Sequence, residues 1–131
     1  MTNYGVVYWA DPSQPVGKIG QLASVAESLG FSNLWLWDTP LYTKDVYVAL
    51  TVAAINTKNI LLGTGVSNPL TRHISISANA ISTIDDLSNG RAILGFGNGA
   101  PGSANVLGFS TPRISEFRRS LVQIKSLLKG D

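Results

Sequence analysis

Four short apolar runs, each followed by apolar residues at helical spacing, constrain this chain more than any other feature. The runs are residues 4–9 (Tyr-Gly-Val-Val-Tyr-Trp), 34–37, 60–62 and 92–96. Each is continuous rather than alternating, the pattern of parallel strands buried on both faces. After the first run, Ile19, Leu22, Ala23, Ala26 and Leu29 mark a helix, with Gly30 where its C-cap belongs. Val46, Ala49, Leu50, Ala53 and Ala54 mark a second. A third is expected from about Thr71 to Leu87, with Ile74, Ala78, Ile81 and Ile84 inward and Ser88-Asn89-Gly90 closing it. The last carries Ile114, Phe117, Leu121, Ile124 and Leu128, and residues 97–112 before it read as a loose loop.

Strands alternating with helices, and no linker between them, predict one α/β domain of (βα)₄ type over residues 1–131. Two architectures fit: a small open doubly wound sheet, or half of an eight-stranded barrel that needs about 250 residues when complete. Lys129-Gly130-Asp131 falls where the last helix would hand over to a fifth strand.

Composition removes several function classes. Charged residues make up only 14% of the chain against 44% apolar, so a packed core is expected and part of the surface needs covering. The net charge of +2 is a small excess, without a basic block interleaved with aromatics, which argues against nucleic acid. With Cys 0 and His 1, neither disulfides nor a zinc site is expected. The start, Met1-Thr2-Asn3-Tyr4, does not resemble a signal peptide, and no run is long enough for a bilayer. A cytoplasmic location is the expectation.

The polar residues gather at one point of the repeat. Asp11 follows the first strand and Asp38 the second; Ser67 and Asn68 follow the third, and Gly97, Asn98 and Gly99 the fourth. In parallel α/β folds these positions converge on the face where ligands bind. The same residue types also serve as ordinary caps and turns there. The stretch from Gly63 to His73 stands out: two glycines at a strand end weaken it unless something packs against Gly65 and Val66.

Residues 97–102 spell G-x-G-x-x-G after a strand. A dinucleotide fingerprint needs a helix opening within it and an acid closing the next strand. Pro101 interrupts, the next helix is expected only near Pro112, and Glu116 lies inside that helix, so the dinucleotide reading is rejected. His73, beside Arg72 at a helix start, reads as structural, and Trp9, Trp35 and Trp37 read first as core; Trp37 could also face a planar ring. Asp85 and Asp86, with Ser88-Asn89-Gly90-Arg91, read as a helix end and strand start. Arg113, Arg118, Arg119, Lys125 and Lys129 read as a solvated helix face.

Several of these segments, taken in order, resemble the luciferase-like oxidoreductase superfamily. They are residues 26–31 (Ala-Glu-Ser-Leu-Gly-Phe), 34–38 (Leu-Trp-Leu-Trp-Asp), 45–50, 63–73 and 86–99. The run Gly-Val-Ser-Asn-Pro-Leu-Thr-Arg-His is the most specific. The branch most resembled uses the deazaflavin coenzyme (factor 420), as in methylene-tetrahydromethanopterin reductase; the flavin mononucleotide (FMN) monooxygenases are its neighbours. The resemblance implies a TIM barrel, of which this chain would be the first four βα units. It implies a bulge after strand three, with a non-prolyl cis peptide at Gly65–Val66 backing the deazaflavin ring. It further implies Asp38 near that ring, Ser67 and Asn68 in its pocket, and Gly97, Asn98 and Gly99 beside the coenzyme's side chain or phosphate.

Three positions depart from the family pattern. Thr39 stands where some deazaflavin enzymes have histidine, Val7 where the reductases often have glutamate, and Ile74 where proline usually follows Thr-Arg-His. The first two put methylene reduction in doubt. The expected function is hydride transfer between a deazaflavin and an organic substrate. The alternatives are an FMN-dependent monooxygenase and a catalytically silent half-barrel that binds flavin or a partner subunit. A half-barrel would leave an apolar face open, so self-association, or completion by a further segment, is expected. No residue identifies the substrate.

Overall fold

The structure is a computed structural model that describes residues 3–130. Met1 and Thr2 of the start considered above, and Asp131 at the other end, lie outside the described residues. Strands β1 (Gly5–Tyr8), β2 (Asn33–Leu36), β3 (Leu61–Thr64) and β4 (Ala92–Ile93) alternate with helices α1 (Gly17–Ser28), α2 (Val46–Ile55) and α3 (Ile74–Leu87). A short α4 (Pro101–Val106) and a long α5 (Ile114–Lys129) complete the order. All pairings are parallel, and the strand order is β1-β2-β3-β4.

That order decides between the two architectures. Successive right-handed crossovers without a reversal of strand order keep every helix on one side of the sheet, as in a barrel wall. A doubly wound sheet needs the reversal. The chain has the α/β, (βα)₄ arrangement of half a TIM barrel.

The helix-facing sides of the strands build the core. Leu34, Leu36 and Leu62 are fully buried against Ala23, Ala49, Leu50, Ala53 and Ile81. The opposite side carries Val7, Trp35, Gly63 and Ile93 in register. Burial of both strand faces, expected from the sequence, does not occur there: Val7 is 59% exposed and Leu61 37%. The core of the described residues lies on the helix side, so the apolar character of the strands is only half used. Trp9 and Trp37, read as core, are likewise about half exposed, at 48% and 47%. Trp35, also read as core, is only partly buried and lies on this same open side, its ring where a Cβ at Gly63 would have to sit.

Three boundaries differ from the sequence reading. Helix α3 starts at Ile74, not Thr71. Asn68 Oδ1 accepts from the Leu70 and Thr71 N–H groups (2.9 and 3.1 Å), which holds that segment as a turn, and extended His73 then caps the helix. Strand β4 ends at Ile93, and only an isolated bridge, Ser67 to Phe96, continues it. Between the pairs Gly63–Ile93 and Ser67–Phe96 the β3 side advances four residues and the β4 side three, so one extra residue bulges out of β3. Residues 97–112 are not wholly loose, because α4 forms there with Pro101 at its first turn.

Two charged side chains fasten the N-terminal ends of the strands. Glu27, on α1, accepts from the N–H groups of Lys58, Asn59 and Ile60 at 2.5–3.1 Å. Arg91, read only as a strand start, is buried and donates to Thr57 Oγ1 and to the carbonyls of Ala54, Thr57, Ile60 and Ser88. Among the described residues no helix is long and apolar enough to cross a membrane.

Candidate functional site

The bulge brings the end of β3 against the segment after β4. Ser67 N–H donates to the Gly95 carbonyl and Gly97 N–H to the Ser67 carbonyl, both at 2.8 Å; Thr64 Oγ1 donates to the same Gly95 carbonyl at 2.7 Å. Glycine is required at Gly95, where a Cβ would collide with the Thr64 carbonyl oxygen, and at Gly97, where it would meet Val66 Cγ2 at 2.7 Å. The Gly65–Val66 peptide is cis, as the resemblance implied.

A cavity of about 350 Å³ opens beside this junction, at the C-terminal ends of the strands. One side is Trp37, Thr39 and Pro40 after β2; the floor is Gly65, Val66 and Asn68; α4 closes it through Ser103 and Ala104. Of the residues expected to gather here, Asp38, Gly65, Val66, Asn68, Asn98 and Gly99 line it. Ser67 and Gly97 do not: Ser67 is fully buried behind the wall, and Gly97 sits against Val66. Asp11 is absent as well. Its carboxylate accepts from the Ser13 hydroxyl and N–H (2.7 and 2.8 Å), which lower its pKa and hold a turn.

Among the described residues Asp38 is the only ionisable side chain lining the cavity, and its oxygens are engaged by the wall. Its side chain is 2% exposed. Oδ2 accepts from Ser67 Oγ at 2.6 Å, and Oδ1 lies 3.6 Å from an Arg72 nitrogen. Tyr47 OH donates to Ser67 Oγ at 3.3 Å. Arg72 also pairs with Asp45, the α2 N-cap, at 2.9 Å, and its guanidinium lies 5.0 Å from the centre of the Tyr47 ring. Burial opposes the Arg72 charge, but Asp38 and Asp45 outweigh that, and its pKa lies above the usual arginine value.

Sequence reasoning missed Arg72, Tyr47 and Asp45 as parts of this network, and missed α4. The signal for Arg72 was present in Asp38 and Asp45, two acids at the two ends of the β2–α2 connection in a chain poor in charge. The signal for α4 was Pro101, a residue suited to a first helical turn. One of the grounds for rejecting the dinucleotide reading therefore fails, since a helix does open inside Gly97–Gly102; the other stands, because Glu116 lies within α5. On Asn98, Nδ2 donates to the Pro112 carbonyl at 3.1 Å, while Oδ1 is buried with no partner among the described residues.

Known proteins resemble this chain in sequence and in fold. The 5,10-methylenetetrahydromethanopterin reductase of Methanolobus tindarius is 42% identical over 121 residues, which cover 92% of this chain and 37% of that protein. The solved coenzyme F420-dependent tetrahydromethanopterin reductase of Methanopyrus kandleri superposes with a TM-score of 0.83 at 31% identity, over 96% of this chain and 39% of its own. The FMN-bound oxygenating constituent of 3,6-diketocamphane monooxygenase from Pseudomonas putida superposes with a TM-score of 0.81 over 95% of this chain; at 20% identity, that likeness concerns the fold alone. The chain thus spans little more than a third of the lengths of these proteins. The profile of the luciferase-like monooxygenases matches residues 3–120. With that match running through both walls of the cavity, this chain belongs to the luciferase-like monooxygenase family.

Proposed function

We propose that this chain supplies the N-terminal wall of a deazaflavin site in an oxidoreductase that moves hydride between the coenzyme and an organic substrate. The observation that carries the reading is the cavity at the strand ends, walled by Gly65–Val66 on one side and Trp37 on the other. It occurs in a chain 42% identical to a 5,10-methylenetetrahydromethanopterin reductase. The residues fit such a group. Trp37, Pro40, Val66 and Leu70 offer apolar surface to a planar ring, and the missing Cβ atoms at Gly65, Gly97 and Gly99 keep the wall close to the neighbouring segments. Asn98 keeps a buried carbonyl oxygen that has no partner among the described residues.

The bound coenzyme would accept or give the hydride. This chain's residues would bind and orient it. Thr39 and Val7 bring no titratable side chain to the positions where relatives of the reductase type are expected to have one, and Asp38 is turned into the wall. Proton transfer to the substrate is therefore not assigned to this chain's cavity, and binding is its proposed contribution. By the same reading, Gly65, Val66, Asn68, Asn98 and Gly99 contact the coenzyme, while Asp38, with its carboxylate turned into the wall, Ser67 and Gly97 support them.

Binding of FMN is the second reading, supported by the superposition on the FMN-bound monooxygenase component. Titrating the chain with the deazaflavin coenzyme and with FMN, followed by absorbance and fluorescence, tests both. Tighter binding of the deazaflavin is the expected result. Tighter binding of FMN would replace it with the second reading, and no binding of either would leave a silent half-barrel.

A further inference from the structure

In the cavity wall, Asp38 and Arg72 form a charge pair held by protein groups. Asp38 is buried, and a buried carboxylate is costly without a cation and hydrogen bonds. Arg72 is the cation within salt-bridge range of it, and Ser67 Oγ is the donor to its other oxygen. Ser67 directly follows Val66, so the Asp38–Ser67 bond ties the end of β2 to the segment that floors the cavity. Arg72 comes from the loop before α3 and is shared with Asp45 at the start of α2, with the Tyr47 ring beside it. Two βα junctions, β2–α2 at both its ends and β3–α3, thus meet on one guanidinium.

We propose that Arg72 is a positioning residue for the ring site: it pairs with the buried Asp38 carboxylate in the wall, and through Ser67 fixes the Gly65–Val66 floor. This rests on the reading of the cavity as a ring site. The charged and titratable groups around Asp38 are Arg72 from the α3 side and, through Arg72 and Ser67, Asp45 and Tyr47 from α2. Without Arg72, an ionised Asp38 would be buried unpaired, and the junction would open to hydrate it. Replaced by a neutral amide, it would keep the Ser67 bond without needing a cation.

The experiment uses the full 131-residue chain with Arg72→Gln, Arg72→Lys and the double variant Asp38→Asn/Arg72→Gln. Affinities for the deazaflavin coenzyme and FMN are measured by fluorescence titration at neutral pH, alongside the thermal midpoint. We expect Arg72→Gln to bind at least tenfold more weakly than the parent chain. The double variant should regain most of the affinity, and Arg72→Lys part of it. If Arg72→Gln does not fold, the double variant decides alone: near-parental affinity supports the proposal, and a lost site overturns it. Unchanged binding by Arg72→Gln overturns it, as does a loss that Asp38→Asn does not relieve, which would put the role of Arg72 at Asp45. Failure of the parent chain to bind either cofactor overturns the ring-site reading itself, and this proposal with it.

Discussion

At the residue scale, the site depends on side chains that are missing as much as on those present. Gly95 is the clearest case. Its carbonyl takes two hydrogen bonds from the end of β3, and a Cβ on it would strike the Thr64 carbonyl oxygen, which is main chain and cannot rotate away. Gly95→Ala should cost about 2 to 3 kcal/mol of stability, the usual scale of overpacking. It should also weaken cofactor binding, because Ser67 and Gly97 would move apart; denaturant unfolding and titration check the two effects. Glu27 makes the complementary case at the other end of the strands. Partial burial opposes its charge, but the three N–H donors of Ile60, Asn59 and Lys58 hold its pKa below the ordinary value of 4.5. A depressed folded pKa gives stability that is fully present above the unfolded value and is lost as pH falls through the folded one. Glu27→Gln should therefore cost about 1 kcal/mol near neutral pH, a charge-assisted bond discounted for exposure. The difference from the parent should shrink as the pH falls below 4.5, which urea melts at a series of pH values would show.

At the level of elements, α4 is the part most open to test. It has six residues, too few to hold together alone, and it closes the cavity through Ala104, which is buried. Ala104→Asp would place an unpaired charge in that contact. We expect α4 to detach as a local unit: amide exchange over residues 101–106 should accelerate strongly, cofactor affinity should fall, and the thermal midpoint should move by only a few degrees. This helix also shows where sequence reading stops. Elements with several turns or a deep apolar face were legible: α1, α2 and the cores of β2 and β3 lie where the periodicity of Ile19, Ala23, Leu34, Leu50 and Leu62 put them. Elements set by single side-chain contacts were not. The start of α3 shifted because Asn68 Oδ1 spends its lone pairs on Leu70 and Thr71, and β4 shortened because the bulge in β3 broke the ladder. The candidate site divided in the same way. Its place at the strand ends followed from topology, and six of the nine expected residues line the cavity. That Ser67 would face away from the cavity, toward Asp38, depends on a pairing across 29 residues that no local pattern encodes.

For the molecule as a whole, the unresolved demand is the uncovered side of the sheet. Strands that read as buried on both faces are buried on one, and Val7, Leu61 and Ile93 share the other with the exposed rings of Trp9 and Trp37 nearby. Monomeric proteins rarely leave a contiguous apolar surface of more than a few hundred Å² in water. The relatives that share this fold are more than twice as long as this chain, so in them further chain is available for that side. In solution on its own, we expect this chain to cover the face with a second copy, each sheet packing against the other. The low charge supports this: Asn33 is the only strongly polar residue among the outward positions of β1 to β4, so two copies would bring no like charges together. Light scattering should give twice the mass of one chain, and the association should tighten in sulfate salts, which strengthen apolar burial. Val7→Lys with Leu61→Lys puts two charges on the open face without touching the helix side, and should return the chain to a folded monomer with unchanged secondary structure. A parent chain that is monomeric, well folded and free of aggregation at high concentration would mean that the open face tolerates water, and the expectation of a second copy would fall.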